Sequence, residues 1–224
     1  MKPYHLNDII THMDNTVGSL NQLQRSVLIG TILGDGYIRI IPGRKNAFLE
    51  VNHTIDQKEY VDWKYKIFKD FVKSPPKSRR GKGNRTAYRF FTRQHPDITQ
   101  VMNTFYDNKI KCIPKDFEID PIVLAVWFMD DGSKCRESDV YINTQQFDIV
   151  SQNRLIEALN KYNLEAKLNR DKHYFRIRFL KSSLKKFNQI IKPYIIPEMK
   201  YKLIYDPVET TRRTPTISDC GMMI

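Results

Sequence analysis

Two aspartates, Asp35 and Asp131, occupy matched positions in two similar segments, LIGTILGDG and LAVWFMDDG. In each segment a run of mostly apolar residues precedes the aspartate, and a glycine follows it, at Gly36 and at Gly132. Carboxylate oxygens bind hard divalent cations such as Mg²⁺, and a bound cation can activate water and stabilise charge on a phosphate. The pair therefore predicts metal-assisted chemistry on a phosphate-containing substrate.

The two segments are predicted to be helices, over Gln24–Gly34 and Pro121–Asp131, with the acids at their C-terminal ends and the following glycines in the left-handed position. Helix C-termini carry partial negative charge, so neighbouring carboxylates there are unfavourable. A divalent cation would offset this repulsion, and the backbone carbonyls of Gly34 and Asp130 are predicted as further ligands. In the alternative interpretation, each Asp-Gly pair is only a turn that ends a helix.

The chain is strongly basic, which restricts its partners. Among 224 residues, 37 Lys and Arg stand against 25 Asp and Glu, giving a formal net charge of +12. Such a charge favours a polyanion, either nucleic acid or an anionic membrane surface. No apolar run approaches the roughly 18 residues of a membrane span, and no basic amphipathic anchor is evident. Nucleic acid is therefore the predicted partner, with no membrane.

The basic residues concentrate in two regions. Residues 71–96 contain eight Lys and Arg and no acid. Within them, SPPKSRRGKGN is predicted to be an exposed basic loop, followed by a strand, Ala87–Arg93, with Arg89 and Arg93 on one face. In the second region, the predicted strand Tyr174–Phe179 alternates, with Arg176 and Arg178 on one face and apolar residues on the other. A sheet with a basic face of this kind suits a phosphate-lined groove, although a solvated outer face is the alternative.

The remaining pattern alternates helices and strands and repeats itself once. We predict an N-terminal segment over 1–22, a first half over 23–117, a second half over 118–206 and a loose tail over 207–224. Further predicted helices are Gln57–Val72, Ile98–Tyr106, Ser151–Tyr162 and Leu184–Ile191. Further predicted strands are Tyr37–Ile41, Ala47–His53, Val140–Thr144 and Ala166–Arg170, and Asp107–Asp120 is predicted to be an irregular link.

The two acidic segments resemble the paired motifs of single-chain LAGLIDADG homing endonucleases, of the intron-encoded kind found in organellar large-rRNA introns. ILGDGYI, WFMDDGSK, INTQQF and IKPYIIPEMKYKL carry the resemblance, which extends roughly from Leu23 to Leu203. It implies an α+β fold of two pseudo-symmetric αββαββα repeats, each with a four-stranded antiparallel DNA-binding sheet. The motif helices would pack together at the centre, where Gly30 and Gly34 allow close approach. Val126 occupies the position of Gly30 in the second motif, so the helix crossing is predicted to be asymmetric.

The resemblance also implies a site. Asp35 and Asp131 would hold Mg²⁺, with Mn²⁺ as a substitute, for hydrolysis of both DNA strands across the minor groove, leaving short 3′ overhangs. Lys111 and Lys202 resemble the paired lysines near the scissile phosphates, which would stabilise developing negative charge. Two glutamines resemble the polar residues that orient the attacking water, namely Gln57 and Gln145.

Side chains on the strands are predicted to read DNA bases, with Arg paired to guanine and Asn or Gln to adenine. The candidates are Arg39, Glu50, Asn52, Arg89 and Arg93 in the first half, and Asn143, Lys167, Asn169, Arg170, Arg176 and Arg178 in the second. Loop residues are predicted to hold phosphates instead. These are Arg44, Lys45, Lys77, Arg79, Arg80, Lys82 and Arg85. The halves carry different side chains, so a long and only weakly palindromic target is expected.

The predicted function is that of a monomeric, site-specific endonuclease for double-stranded DNA that mobilises its own intron. Two alternatives stay open: an RNA maturase that helps a host intron RNA to splice, and a DNA-binding regulator that has lost cleavage. Both acids are present, which disfavours loss of cleavage. Abundant Lys, Ile, Asn and Tyr suggest an A/T-rich coding genome. The predicted location is therefore an organelle interior (mitochondrion or chloroplast), with a bacterial or archaeal cytoplasm as the alternative.

Overall fold

A computed structural model describes residues 18–81, 83, 85–136 and 139–203. Most of the predicted N-terminal segment, Lys82, and the predicted tail over 207–224 lie outside the described residues. Both acidic segments and the basic strands of each half lie within them.

The first half consists of helices and strands that surround a central motif helix. The motif helix α1 spans Gln22–Leu33 and begins with a capping box, in which the Asn21 side chain accepts from the Gln24 backbone N–H and the Gln24 side chain accepts from the Asn21 backbone N–H. Strands and helices follow in the order β1 (Tyr37–Arg39), β2 (Phe48–Thr54), α2 (Lys58–Ile67), β3 (Lys77–Arg80), β4 (Thr86–Phe91) and α3 (Pro96–Phe105).

The second half repeats this order after a short hairpin. The hairpin consists of β5 (Tyr106–Asp107) and β6 (Ile110–Lys111). The second motif helix, α4, spans Pro121–Asp131 and is capped by Asp120. It is followed by β7 (Gly132–Arg136), β8 (Asp139–Ile142), α5 (Ile149–Asn160), β9 (Ala166–Asp171), β10 (Tyr174–Phe179) and α6 (Leu184–Ile191). The predicted αββαββα repeat is confirmed in both halves.

Each half builds one four-stranded antiparallel sheet with the same strand connectivity. The orders are β1-β2-β4-β3 and β7-β8-β10-β9. Side chains alternate between the faces of each strand, so β2 buries Leu49 and Val51 and turns Asn52 outward. In β10, Ile177 and Phe179 are buried. The predicted alternation of Tyr174–Phe179 is confirmed, and each sheet has an apolar back and a polar front.

The two motif helices pack directly against each other at the centre. A Cβ atom on Gly30 would lie 2.7 Å from the Cβ of Val126 and 2.8 Å from the carbonyl oxygen of Val123. A Cβ on Gly34 would overlap the side chain of Asp130. Val126 therefore fits between the helices because Gly30, the residue that it contacts, has no side chain.

Several local predictions were wrong. Helix α1 ends at Leu33, so Asp35 lies two residues beyond it, whereas Asp131 is the last residue of α4. Neither following glycine is left-handed: Gly132 has a φ of −69°, and the left-handed glycines among the described residues are Gly18, Gly43 and Gly83. Both positions need glycine because neighbouring atoms leave no room for a side chain. A Cβ at Gly36 would lie 2.8 Å from the Thr31 carbonyl oxygen, and a Cβ at Gly132 would collide with Phe128.

The predicted basic loop is partly a strand. Lys77–Arg80 forms β3 and pairs with β4, because a hydrogen-bonding neighbour can impose extended structure on residues with weak strand propensity. The predicted strand Ala87–Arg93 ends at Phe91 in the structure, before Arg93. The predicted irregular link contains the β5–β6 hairpin, and β7 was not predicted at all.

Candidate functional site

A cleft of about 540 Å³ lies at the C-terminal ends of the two motif helices. Asp35 and Asp131 both line it, together with Lys111, Asn143 and Gln145. The fold thus brings the two acids, which are almost half the chain apart in sequence, into one cleft. This is the arrangement that the matched segments predict.

The cleft is electrostatically unfavourable for the charged form of Asp131. Burial raises the pKa of Asp131 to about 8, and the nearby carboxylates of Asp35 and Asp130 add to that rise. Neighbouring carboxylates destabilise the charged form of a buried acid such as Asp131, and a bound cation would relieve the repulsion. The cleft therefore fits a divalent cation held by Asp35 and Asp131.

The two predicted lysines hold the ends of the two motif helices. Lys111 Nζ donates to the Gly34 carbonyl at 2.7 Å, and Lys202 Nζ donates to the Met129 and Asp130 carbonyls at 2.5 and 3.2 Å. Burial lowers the pKa of Lys111 to about 8 and also lowers the pKa of Lys202. The carbonyls of Gly34 and Asp130, predicted as metal ligands, accept hydrogen bonds from these lysines in this structure.

The glutamines near the motif acids make different contacts. Gln57 Oε1 accepts from His53 Nδ1 at 2.8 Å, and Gln145 Nε2 donates to Asp171 at 3.1 Å. Gln146, which was not predicted, donates from its Nε2 to the Leu33 carbonyl at 2.9 Å and lies 3.3 Å from Asp131 Oδ2. Its signal in the sequence was its place beside Gln145 in INTQQF.

A buried polar cluster beneath the cleft was also missed. The side chains of Lys64 and Asp130 are fully buried, and Lys64 Nζ lies 2.8 and 3.0 Å from the two Asp130 carboxylate oxygens. His53 lies between the acids, with Nδ1 3.6 Å from Asp35 and Nε2 3.9 Å from Asp130. Burial and the Lys64 charge lower the pKa of His53. The ligand atoms of Asp35, His53 and Asp130 lie within 4.8 Å of one another, a group that could hold a metal ion.

The polar front of the first sheet carries most of the predicted base-reading residues of that half. Arg39 pairs with Glu50 at 2.8 Å, and Arg89 lies 3.6 Å from the same carboxylate. Register places Asn52 opposite Arg89. Lys77 and Arg79, predicted in a loop, lie on this same front, since Lys77 is opposite Arg89 and Arg79 is opposite the outward-facing Ala87.

The front of the second sheet carries Lys167, Asn169, Arg176 and Arg178 in register. Arg178 pairs with Asp139 at 2.5 Å, which fixes the guanidinium above the sheet. The Arg176 guanidinium lies 4.0 Å from the ring centroid of Tyr141. These contacts hold the basic side chains in defined positions before any ligand binds.

Other predicted DNA-binding residues lie elsewhere. In the strand register, Arg80 lies opposite Thr86, and Arg170 lies opposite Phe175. Both arginine side chains therefore face away from the fronts of their sheets. Asn143 lies in the cleft, where its Nδ2 donates to the Asp131 carbonyl at 3.0 Å. Arg93 lies in a groove at the β3 edge. The other predicted phosphate-binding residues lie at exposed positions in loops, namely Arg44, Lys45 and Arg85.

Known proteins are similar to this chain in sequence and in fold. The sequence profile of the LAGLIDADG DNA endonuclease family matches residues 25–187. The chain belongs to the LAGLIDADG DNA endonuclease family. A probable intron-encoded endonuclease 1 from Wickerhamomyces canadensis is 32% identical over 84% of this chain and 87% of its own length. The homing endonuclease I-WcaI, solved bound to its DNA recognition sequence, matches with a TM-score of 0.78 and 31% identity over 89% of this chain and 92% of that one.

A second relative is described as an mRNA maturase. The cytochrome b mRNA maturase bI2 of Saccharomyces cerevisiae is 29% identical over 85% of this chain, which spans 49% of the maturase. This LAGLIDADG chain therefore resembles both proteins described as endonucleases and a protein described as a maturase. Among the described residues, none of the helices is long and apolar enough to cross a membrane.

Proposed function

We propose that this chain is a site-specific endonuclease that hydrolyses both strands of double-stranded DNA with a divalent metal ion, Mg²⁺ or Mn²⁺. The observation that carries the proposal is a single cleft lined by the acids of both motifs, in a chain whose two sheets have basic fronts. Similarity to I-WcaI, described as bound to its recognition DNA, supports the same activity.

Asp35 and Asp131 would hold the metal, which when bound supplies Lewis acidity and a nucleophilic hydroxide near neutral pH. Lys111 and Lys202 place positive charge beside the acids, where it stabilises charge that develops on the scissile phosphates. Gln57 lies beside His53 on the Asp35 side, and Gln145 lines the cleft. Amide groups cannot act as bases, so these glutamines orient water.

The sheet fronts read the major groove, and the loops hold the phosphate backbone. The base-reading set is Arg39, Glu50, Asn52 and Arg89 in the first half, and Lys167, Asn169, Arg176 and Arg178 in the second. Because the two fronts differ in side chains, the target is long and weakly palindromic. Cleavage across the minor groove leaves short 3′ overhangs and promotes mobility of the host intron.

One chain supplies both motifs, in halves over 23–117 and 118–206, so we propose that the protein acts as a monomer. The proposed location is an organelle interior, in keeping with its similarity to a protein described as intron-encoded.

The decisive experiment is incubation of a plasmid carrying the intron-insertion junction with the protein, in Mg²⁺ and in EDTA. Linear product in Mg²⁺ alone is expected. Asp35→Asn and Asp131→Asn should each prevent linearisation while leaving DNA affinity within about tenfold of native. A native protein that binds the junction in Mg²⁺ and leaves it intact would refute the proposal.

Similarity to the maturase favours one second function, assistance to splicing of the host intron RNA. The basic sheet fronts could also hold an RNA backbone, because that contact needs positive charge and not base sequence. Splicing of precursor RNA with and without the protein tests this function. Equal splicing rates in the two reactions would exclude it.

A further inference from the structure

The buried pair of Lys64 and Asp130 joins the two halves directly beneath the cleft. Lys64 comes from α2 of the first half, and Asp130 from the motif helix of the second. Both side chains are fully buried, and the ammonium contacts both carboxylate oxygens, at 2.8 and 3.0 Å. From this geometry we propose that Lys64 is a positioning residue: acting through Asp130, it fixes the turn that carries Asp35. This inference rests on the proposed endonuclease function.

Stability alone does not explain such a pair. Removing two charges from water costs several kcal/mol per ion, and a well-packed apolar pair is often as stable or more stable. The first motif, moreover, has Gly34 at the position of Asp130. The Asp130 side chain occupies the space in which a Cβ of Gly34 would lie. The charged pair thus lies against Gly34, the residue that immediately precedes Asp35.

Asp130 contacts the Asp35 turn directly. The Asp35 backbone N–H donates to Asp130 Oδ2 at 3.4 Å, while Lys64 holds the same carboxylate from the other side. His53 extends the network, since its Nδ1 lies 3.6 Å from the Asp35 carboxylate. Tyr60 closes it, with its ring centroid 4.3 Å from Lys64 Nζ. Lys64, Tyr60 and His53 all belong to the first half, so β2 and α2 determine where Asp35 lies.

The Asp131 turn is held in a different way. Its carbonyl accepts two hydrogen bonds from Asn143, from the backbone N–H and from Nδ2, both at 3.0 Å. Gln146 lies 3.3 Å from its carboxylate. Loss of Lys64 should therefore displace Asp35 more than Asp131, and should slow the cutting of one DNA strand more than the other.

A metal ion at Asp35, His53 and Asp130 is a weaker explanation of the cluster. The Lys64 ammonium already neutralises Asp130, and a second cation would be repelled by it. The His53 Nδ1 is also engaged by Gln57, at 2.8 Å. The Lys64 ammonium is therefore the cation of this cluster.

The test measures cutting of each strand separately, on a duplex that carries a different label on each strand. The strand served by Asp35 is the one that Asp35→Asn slows more. In Lys64→Met we expect that strand to be cut about tenfold to 100-fold more slowly relative to the other, so that nicked duplex accumulates. DNA affinity should stay within about threefold of native, since Lys64 is buried and cannot touch DNA.

Lys58→Met is the matched control, because Lys58 lies on the same helix and pairs with Asp62 at the surface. It should preserve the native ratio of strand rates. Lys64→Met leaves the Asp130 carboxylate buried without its partner, and this variant could fail to fold. The double variant Lys64→Met/Asp130→Ala removes both charges of the pair and therefore also serves as the test. It should fold and keep the altered ratio.

A native strand ratio in the folded double variant would overturn the inference while leaving the endonuclease function standing. A native protein that binds the duplex and cuts neither strand would instead refute the proposed function, and this inference with it.

Discussion

Asp131 should make the metal-free protein less stable as the pH rises. The folded chain raises the pKa of this carboxyl from 3.8 to about 8, first by burial and then by the charges of Asp35 and Asp130. Between these values the folded state keeps a proton that the unfolded state has released. The free energy of unfolding therefore falls as the pH rises through this window. One such group contributes a slope of about 1.4 kcal/mol per pH unit, or roughly 4 kcal/mol from about pH 5 to about pH 8.

Chemical denaturation in EDTA, followed by the fluorescence of the buried Trp127, measures this slope. In Asp131→Asn the titrating group is gone, so the difference in unfolding free energy between native and variant proteins should change by roughly 4 kcal/mol over the same window. Asp56→Asn, which alters an exposed acid, should leave the native slope in place. Saturating Mg²⁺ should flatten the native curve, because the cation takes the place of the proton.

A difference in unfolding free energy between native and Asp131→Asn proteins that stays constant from about pH 5 to about pH 8 would contradict this prediction. It would mean that Asp131 is already ionised in the folded, metal-free protein. The cleft would then have no electrostatic need for a cation.

Three further predictions concern packing, chemistry and DNA contact. Gly34→Ala should lower the free energy of unfolding by about 1–3 kcal/mol, because its Cβ would overlap Asp130; denaturation at neutral pH checks this, and an unchanged midpoint would contradict it. Lys202→Met should slow cleavage about 100-fold at unchanged DNA affinity, because it removes positive charge from the C-terminal end of the second motif helix and leaves the Met129 carbonyl uncapped; single-turnover kinetics measure the rate, and a native rate would contradict the prediction. Arg178→Ala should weaken binding of the recognition duplex by about 1–3 kcal/mol and leave Asp139 unpaired on the DNA-facing front. Fluorescence anisotropy measures that change, and an affinity equal to native would place this front away from DNA.

The parts of the fold that the sequence predicted well have strong local patterns. The bounds of α4 and β10 agree with prediction at both ends, since Pro121 marks a helix start and Tyr174–Phe179 alternates without interruption. The β5–β6 hairpin was missed because its turn residues, Asn108 and Lys109, are left-handed without being glycine, with φ of 47° and 69°. Strand β3 was missed because its Lys and Arg side chains indicate exposure, and only its pairing with β4 makes it extended.

The candidate site also contains residues that the sequence predicted and residues that it did not. Asp35 and Asp131 were found because the two motifs repeat. Lys64 was not, because a lysine on an amphipathic helix ordinarily lies at the surface, and here it is fully buried by contacts that come from far along the chain. The partner of a buried charge depends on tertiary packing, which local sequence does not encode.

The contacts between the motif helices also determine which halves can associate. Two copies of the second half would oppose Val126 to Val126 and Asp130 to Asp130, in places where the native interface accepts only glycine. Two copies of the first half would leave a gap at Gly30 and a Lys64 ammonium without its carboxylate. Steric and electrostatic mismatch thus disfavours homodimers of either half, so the separately expressed halves should recognise each other before they recognise themselves.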